Sequence, residues 1–223
     1  MNINLPSKHI RTRRGVLLHG SILLIFHAVG LIGFSSHWRE LFLQLTPFHL
    51  MLVFGYLLVF QQRVDGRFLT FMAIVIVSSY LIELVGVQTG KIFGDYKYGE
   101  ALGIKIGDTP LLIGVLWFLL IYSIGVQLKP LKIHWMLKSF FGAGMMLLID
   151  LFIEPVAIEL GFWSWTDNVI PVQNYLAWFA ISFVYMIIFF QTSFSSNRIA
   201  PIIYWMQLGF FMAINLIIYV ASS

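Results

Sequence analysis

The chain has no cysteine, which excludes disulfides, thiolate metal sites and cysteine nucleophiles together. Charge is scarce too. Fourteen Lys and Arg and ten Asp and Glu make up 11% of the 223 residues, where a soluble domain devotes about a quarter to charge. There is no P-loop, glycine-rich dinucleotide fingerprint or Ser-His-Asp order, and the six histidines supply no HxxxH or HExxH pair, so no metal is expected. The last apolar run has no lysine and cannot form the Schiff base of a seven-helix retinal protein. The net charge of +4 is spread over short loops and gives no reason to expect a nucleic-acid partner.

What remains is apolar: 59% hydrophobic residues, with 21 Phe and 7 Trp. Seven runs are long enough to read as membrane spans, at about 15–34, 47–62, 68–89, 109–127, 135–154, 174–194 and 199–221. The expected fold is all-α, a polytopic transmembrane helix bundle that forms a single domain over 1–223, with no room left for a soluble one. Lipid is its solvent and partner. The basic start followed by an apolar run superficially resembles a signal peptide, but the run is as long as a span, so a retained first helix is expected.

Alternate loops differ in Lys and Arg. Lys8, Arg11, Arg13, Arg14, Arg63, Arg67, Lys129, Lys132, Lys138 and Arg198 fall on one side, against Arg39, Lys91, Lys97 and Lys105 on the other. The positive-inside rule then puts the N-terminus in the cytoplasm and the C-terminus outside. For a prokaryote this means the inner (plasma) membrane.

The most informative stretch is Ser79 to Trp117. Glu83 sits in an apolar helix, where a carboxylate is a functional-site candidate by default. Tyr80, Glu83, Gly86, Val87 and Gly90 recur at helical spacing and share a face. Asp95, Glu100 and Asp108 follow in a glycine- and tyrosine-rich connection that reads as an outer hairpin or a partly re-entrant cap, with Tyr96 and Tyr98 in the headgroup zone. Asp108 in DTP can cap the fourth span or serve the site, and the two roles are compatible.

In the fifth span Asp150 and Glu154 are four apart, on one face. Two such carboxylates in low dielectric repel, and one should keep a proton at neutral pH. Pro155 is expected to end or kink this helix. Trp163 and Trp165 read either as an interfacial belt or as a substrate entrance. Asn174, four residues before Trp178, can cap the sixth span or position a ligand. His19 and His27 share a face of the first span, and Gln207 and Asn215 a face of the last. Pro47 is placed in the first turn of span two.

With no other motif present, these groups point to acid–base chemistry by carboxylates among aromatic rings. Protonation of an isolated carbon–carbon double bond suits them, and it needs no redox cofactor.

The run from Glu83 through FGDYKYGEALGIKIGDTP, the DLFIEP segment at 150–155 and PVQNYLAWF at 171–179 resemble the integral-membrane carotenoid biosynthesis family. Its hydratase members act on acyclic psi ends and on bisanhydrobacterioruberin. The resemblance implies a cofactor-independent 1,2-hydratase with a hydrophobic carotenoid and water as substrates, and admits other carotenoid-pathway enzymes as partners. Glu83, Asp95, Asp108, Asp150 and Glu154 are the acidic candidates, with Asp150 or Glu83 favoured as donor. Tyr80, Trp163, Trp165, Asn174 and Trp178 are expected to shape the pocket. An integral-membrane carotenoid cyclase, or a carotenoid-binding or transport protein, would use the same residues.

Overall fold

In the computed structural model, which describes residues 12–195 and 197–222, seven helices follow one another with short ribbons in two of the connections. They are α1 (Arg13–Phe34), α2 (Arg39–Phe60), α3 (Gly66–Thr89), α4 (Leu112–Leu128), α5 (Trp135–Glu159), α6 (Val172–Gln191) and α7 (Ala200–Ser222). Strands β1 (Tyr96–Tyr98), β2 (Lys105–Ile106) and β3 (Thr109–Pro110) lie between α3 and α4, and β4 (Trp163–Trp165) between α5 and α6. Six of the helices are long and apolar enough to cross a membrane, and α4 is a shorter apolar helix. This is a multi-pass membrane bundle. Of the basic residues used for orientation, Lys8 and Arg11 lie outside the described residues.

Local chemistry sets the helix ends. Asp65 caps α3 by accepting from the Phe68 amide at 3.0 Å, and Gly90 closes it in a left-handed conformation with φ 65°. Three boundaries depart from the sequence reading. The helix containing Pro47 begins eight residues earlier, at Arg39, so Pro47 is internal rather than in the first turn. Arg39 pairs there with Glu159 at 3.2 Å, which anchors the added turns to the end of α5. Pro155 does not end α5, which continues to Glu159; only the Leu151 carbonyl loses its helical donor. Asp108 does not cap α4. That helix starts at Leu112 behind Leu111, with no side-chain cap, because Gly107 and Asp108, at φ 57° and 61°, form the turn of the β2–β3 hairpin.

The connections gather at two ends. At one, here called the capped end, β1 pairs antiparallel with β4 and Arg39 reaches Glu159, so the α1–α2, α3–α4 and α5–α6 connections meet. At the other, the Asn197 amide donates to the Leu57 carbonyl at 2.9 Å, and the Tyr122 hydroxyl donates to Gln61 Oε1 at 2.5 Å. That clasp ties the α2–α3 and α6–α7 connections to α4.

Helix α4 is the axis of the bundle. Trp117, Phe118, Leu119, Leu120, Ile121 and Tyr122 are consecutive and all buried, as expected only of a helix surrounded by others. It packs against α2, α3, α5, α6 and α7. Gly114 permits the closest of these approaches, since a Cβ there would lie 2.3 Å from the Ile76 carbonyl oxygen of α3.

Candidate active site

Near the capped end, three carboxyl side chains are withdrawn from solvent: Glu83 on α3, and Asp150 and Glu154 on successive turns of α5. Among the described residues the only ion pairs are Arg39–Glu159 and Lys105–Glu100. The three buried carboxyls are held instead by neutral hydrogen-bond donors.

The β1–β4 ribbon delivers most of those donors. Side chains two apart on a strand share a face, so Tyr96 and Tyr98 point the same way, as do Trp163 and Trp165. The register sets Tyr96 opposite Trp165 and Tyr98 opposite Trp163. One face of the ribbon is therefore four aromatic rings, each with a polar atom turned inward. Tyr96 and Tyr98 donate to Glu83 Oε2 at 2.6 and 2.9 Å. The Trp163 and Trp165 indole N–H groups donate to Glu154 Oε2 at 3.0 and 2.7 Å. Burial, and then the charge of Glu83, push both tyrosine hydroxyls well above the usual phenol range, so they remain donors.

Two further donors come from helices. Trp117 of α4 donates its indole N–H to Glu83 Oε1 at 2.9 Å. Asn174 of α6 bridges the α5 pair, with Nδ2 at 3.1 Å from both Asp150 Oδ2 and Glu154 Oε1. Asn174 thus bridges two carboxyls and does not cap α6, which begins behind Pro171 without a side-chain cap.

Counting donors separates the three carboxyls. Glu83 and Glu154 each accept three hydrogen bonds, across both oxygens, a set suited to a carboxylate that can only accept. Asp150 accepts one, on Oδ2, and its buried Oδ1 has no partner among the described residues. A free, buried oxygen is where a carboxylic acid keeps its proton for transfer.

Beside this network lies a cavity of about 420 Å3 bounded by α1, α2, α4 and α7. Its wall toward the carboxyls is made by Trp117, Trp163 and Trp178. Trp117 and Trp178 stack with ring centroids 4.4 Å apart and planes 28° apart. The cavity thus meets indole rings, two of which, Trp117 and Trp163, donate to the carboxylates behind them. Ile153, one turn from Asp150, also lines it.

Of the residues singled out in the sequence, Glu83, Asp150, Glu154, Trp163, Trp165, Asn174 and Trp178 come together here. Three do not. Asp95 is exposed, with Oδ1 packed over Gly90, where a Cβ would meet it at 2.0 Å. Asp108 is exposed on the hairpin turn. Tyr80 donates to the Ile106 carbonyl at 2.8 Å and braces that hairpin. His27 hydrogen-bonds within its own helix, to the Leu23 carbonyl. Tyr96, Tyr98 and Trp117 are the members that sequence reasoning left out. The alternation in YKY and WSW, aromatic on every second residue in two separate connections, was the signal for a paired ribbon. Among the described residues no group of three His, Asp or Glu is placed to hold a metal.

Residues 42–222, which include every member of this cluster, match the family model described as carotenoid biosynthesis protein. The chain belongs to that family. It is also 29% identical over 182 residues to a bisanhydrobacterioruberin hydratase from Haloarcula japonica, an alignment covering 77% of this chain and 61% of the relative. The chain thus spans about three-fifths of that curated relative's length. No solved structure matches it. Family and fold together make this a membrane-embedded protein of the carotenoid pathway.

Proposed function

We propose that this member is a hydratase that adds water across the terminal 1,2 double bond of an acyclic psi end group, giving a tertiary 1-hydroxy carotenoid. The observation that carries the reading is Asp150 Oδ1, without a partner among the described residues, in a carboxyl cluster that lies behind the indole wall of an apolar cavity. The relative named as a hydratase gives it independent support.

In this mechanism Asp150, in its acid form, gives the Oδ1 proton to C2 of the alkene. The bonding pair of the double bond forms the new C–H bond and leaves a tertiary cation at C1. The ring surfaces that Trp117, Trp163 and Trp178 turn to the cavity stabilise that cation, as aromatic faces do when water is excluded. Their effect is strengthened because Trp117 donates to Glu83 and is enriched in electron density by doing so. Water then bonds to C1 through an oxygen lone pair. The proton it sheds passes to the carboxyl cluster and restores the acid form of Asp150, so the sum is alkene plus water to alcohol. Asn174 holds Asp150 and Glu154 in register, while Glu83 fixes the indole wall. No redox equivalent is consumed, and no cofactor is called for.

The loop charges favour a cytoplasmic N-terminus in a prokaryotic plasma membrane, with the carboxyls in the outer half of the bilayer. Neighbouring enzymes of the same pathway would supply the substrate through the lipid.

The test is product mass after reconstituted protein meets an acyclic-ended carotenoid in oxygen-18 water. Gain of one labelled water supports hydration. An isomer of unchanged mass would replace it with cyclisation, and unaltered substrate across several end groups would replace it with binding or transport.

A further inference from the structure

Other polar groups in the cavity belong to no part of the carboxyl network. His27 from α1, His49 from α2 and Gln207 from α7 line it amid residues that are almost all apolar. His27 and Gln207 are each only 7% exposed. The two imidazole rings meet edge to face, with centroids 4.8 Å apart. His27 Nδ1 lies 2.8 Å from the Leu23 carbonyl, an acceptor, so Nδ1 carries the hydrogen and Nε2 keeps its lone pair. The side-chain amide of Gln207 hydrogen-bonds to no described residue. Three helices thus bring polar groups to an apolar space and leave His27 Nε2 and the Gln207 amide without a hydrogen-bond partner among the described residues, where apolar side chains would pack at lower cost.

We propose that His27, His49 and Gln207 form a hydroxyl-binding subsite, so that the substrate is an acyclic polyene alcohol rather than a bare hydrocarbon. The hydroxyl is a group distinct from the double bond that reacts. Among the described residues no Lys or Arg lines the cavity, which argues against a carboxylate or phosphate ligand. A ketone only accepts and would leave the Nε2 lone pair of His27 unfilled. An alcohol both donates to such a lone pair and accepts from the Gln207 amide. The identity of the reacting bond rests on the hydratase reading, but the subsite itself does not.

Binding can be read without turnover, because Trp117, Trp163 and Trp178 line the same cavity and their fluorescence is quenched by a bound polyene. The probes are one acyclic polyene alcohol and its deoxy hydrocarbon, titrated into purified protein in lipid discs. Wild type should bind the alcohol roughly five- to tenfold more tightly, the value of one well-made hydrogen bond. Gln207→Leu and His27→Phe should each bring that preference to about twofold or less, with affinity for the hydrocarbon unchanged. Equal wild-type affinities would overturn the proposal. So would variants that weaken both probes alike, because the three residues would then be packing helices or holding water. Two variants on different helices keep the test decisive if one fails to fold. A protein that prefers the alcohol but hydrates neither probe would defeat the hydratase reading alone, whereas hydration without preference would defeat the subsite alone.

Discussion

Tyr96 and Trp165 face each other across the β1–β4 ribbon, yet their polar atoms serve different carboxylates. The Tyr96 hydroxyl lies 2.6 Å from Glu83, and the Trp165 indole nitrogen 2.7 Å from Glu154. A pair of strands of three residues each therefore sets the spacing between a carboxylate on α3 and one on α5. The ribbon is a jig for the site, and its perturbation should read out as lost chemistry.

The two carboxyls favoured from sequence should separate by experiment. Asp150→Asn keeps shape and leaves the Asn174 neighbourhood filled, so melting in detergent should stay near wild type while turnover falls at least about a hundredfold. Glu83→Gln replaces one accepting oxygen by an NH2 that faces either the Trp117 indole N–H or the two tyrosine hydroxyls, and stability should fall by about 1–3 kcal/mol. Near-normal product yield in both variants, measured by mass spectrometry, would remove the carboxyl cluster from the mechanism.

Trp178→Leu should lower kcat more than it raises KM. The residue contributes a ring face, stacked on Trp117, and makes no hydrogen bond to a carboxylate. Loss of cation stabilisation of about 1–2 kcal/mol corresponds to roughly a five- to thirtyfold slower step. A change confined to KM would recast the ring as a binding surface only.

Much of this site was legible because carboxylates are conspicuous in apolar helices. Glu83, Asp150 and Glu154 stood out by their cost, and the four-residue interval of the last two predicted their shared face. Tyr96 and Tyr98 were not legible in the same way, since a tyrosine in a loop near lipid has an ordinary home among headgroups. Only pairing with Trp163–Trp165, some 67 residues away, turns them inward, and one strand carries no record of its partner. Asp108 was misplaced for a related reason. An Asp before Thr-Pro reads as a helix cap, but Gly107 ahead of it makes a two-residue turn that competes and wins. The seven-helix count was readable from hydropathy, whereas the internal positions of Pro47 and Pro155 depended on the packing around them.

Gly99→Ala should test the ribbon directly. A Cβ there would come within 2.0 Å of the Gly161 carbonyl oxygen, a backbone atom that cannot swing aside. The Gly99 amide also extends the ladder by donating to the Phe162 carbonyl at 2.8 Å. We expect turnover to fall at least tenfold, about 1.4 kcal/mol in the barrier, with the helical circular dichroism signal retained. Wild-type activity would mean that the ribbon is dispensable.

Alkaline titration should reveal Tyr96 and Tyr98. Both hydroxyls are pushed up, by burial first and the Glu83 charge second, so the folded protein holds their protons where the unfolded chain releases them. Their neutral form then contributes fully to stability below the unfolded value of about 10, and the contribution is lost as pH rises above it. Phenolate absorbance at 295 nm should show the two groups ionising only together with unfolding. In the Tyr96→Phe, Tyr98→Phe double variant the amplitude of that late step should fall by two phenolates. Early, reversible ionisation of both in folded protein would contradict their placement.

Helix α4 has 17 residues, a rise of about 26 Å against a hydrocarbon layer of about 30 Å. The hairpin that introduces it carries exposed Ile104, Ile106 and Leu111, apolar side chains suited to contact acyl chains just beyond the helix end. In the proposed hydration, water would enter from the capped end, while the rest of a long polyene stays dissolved in lipid.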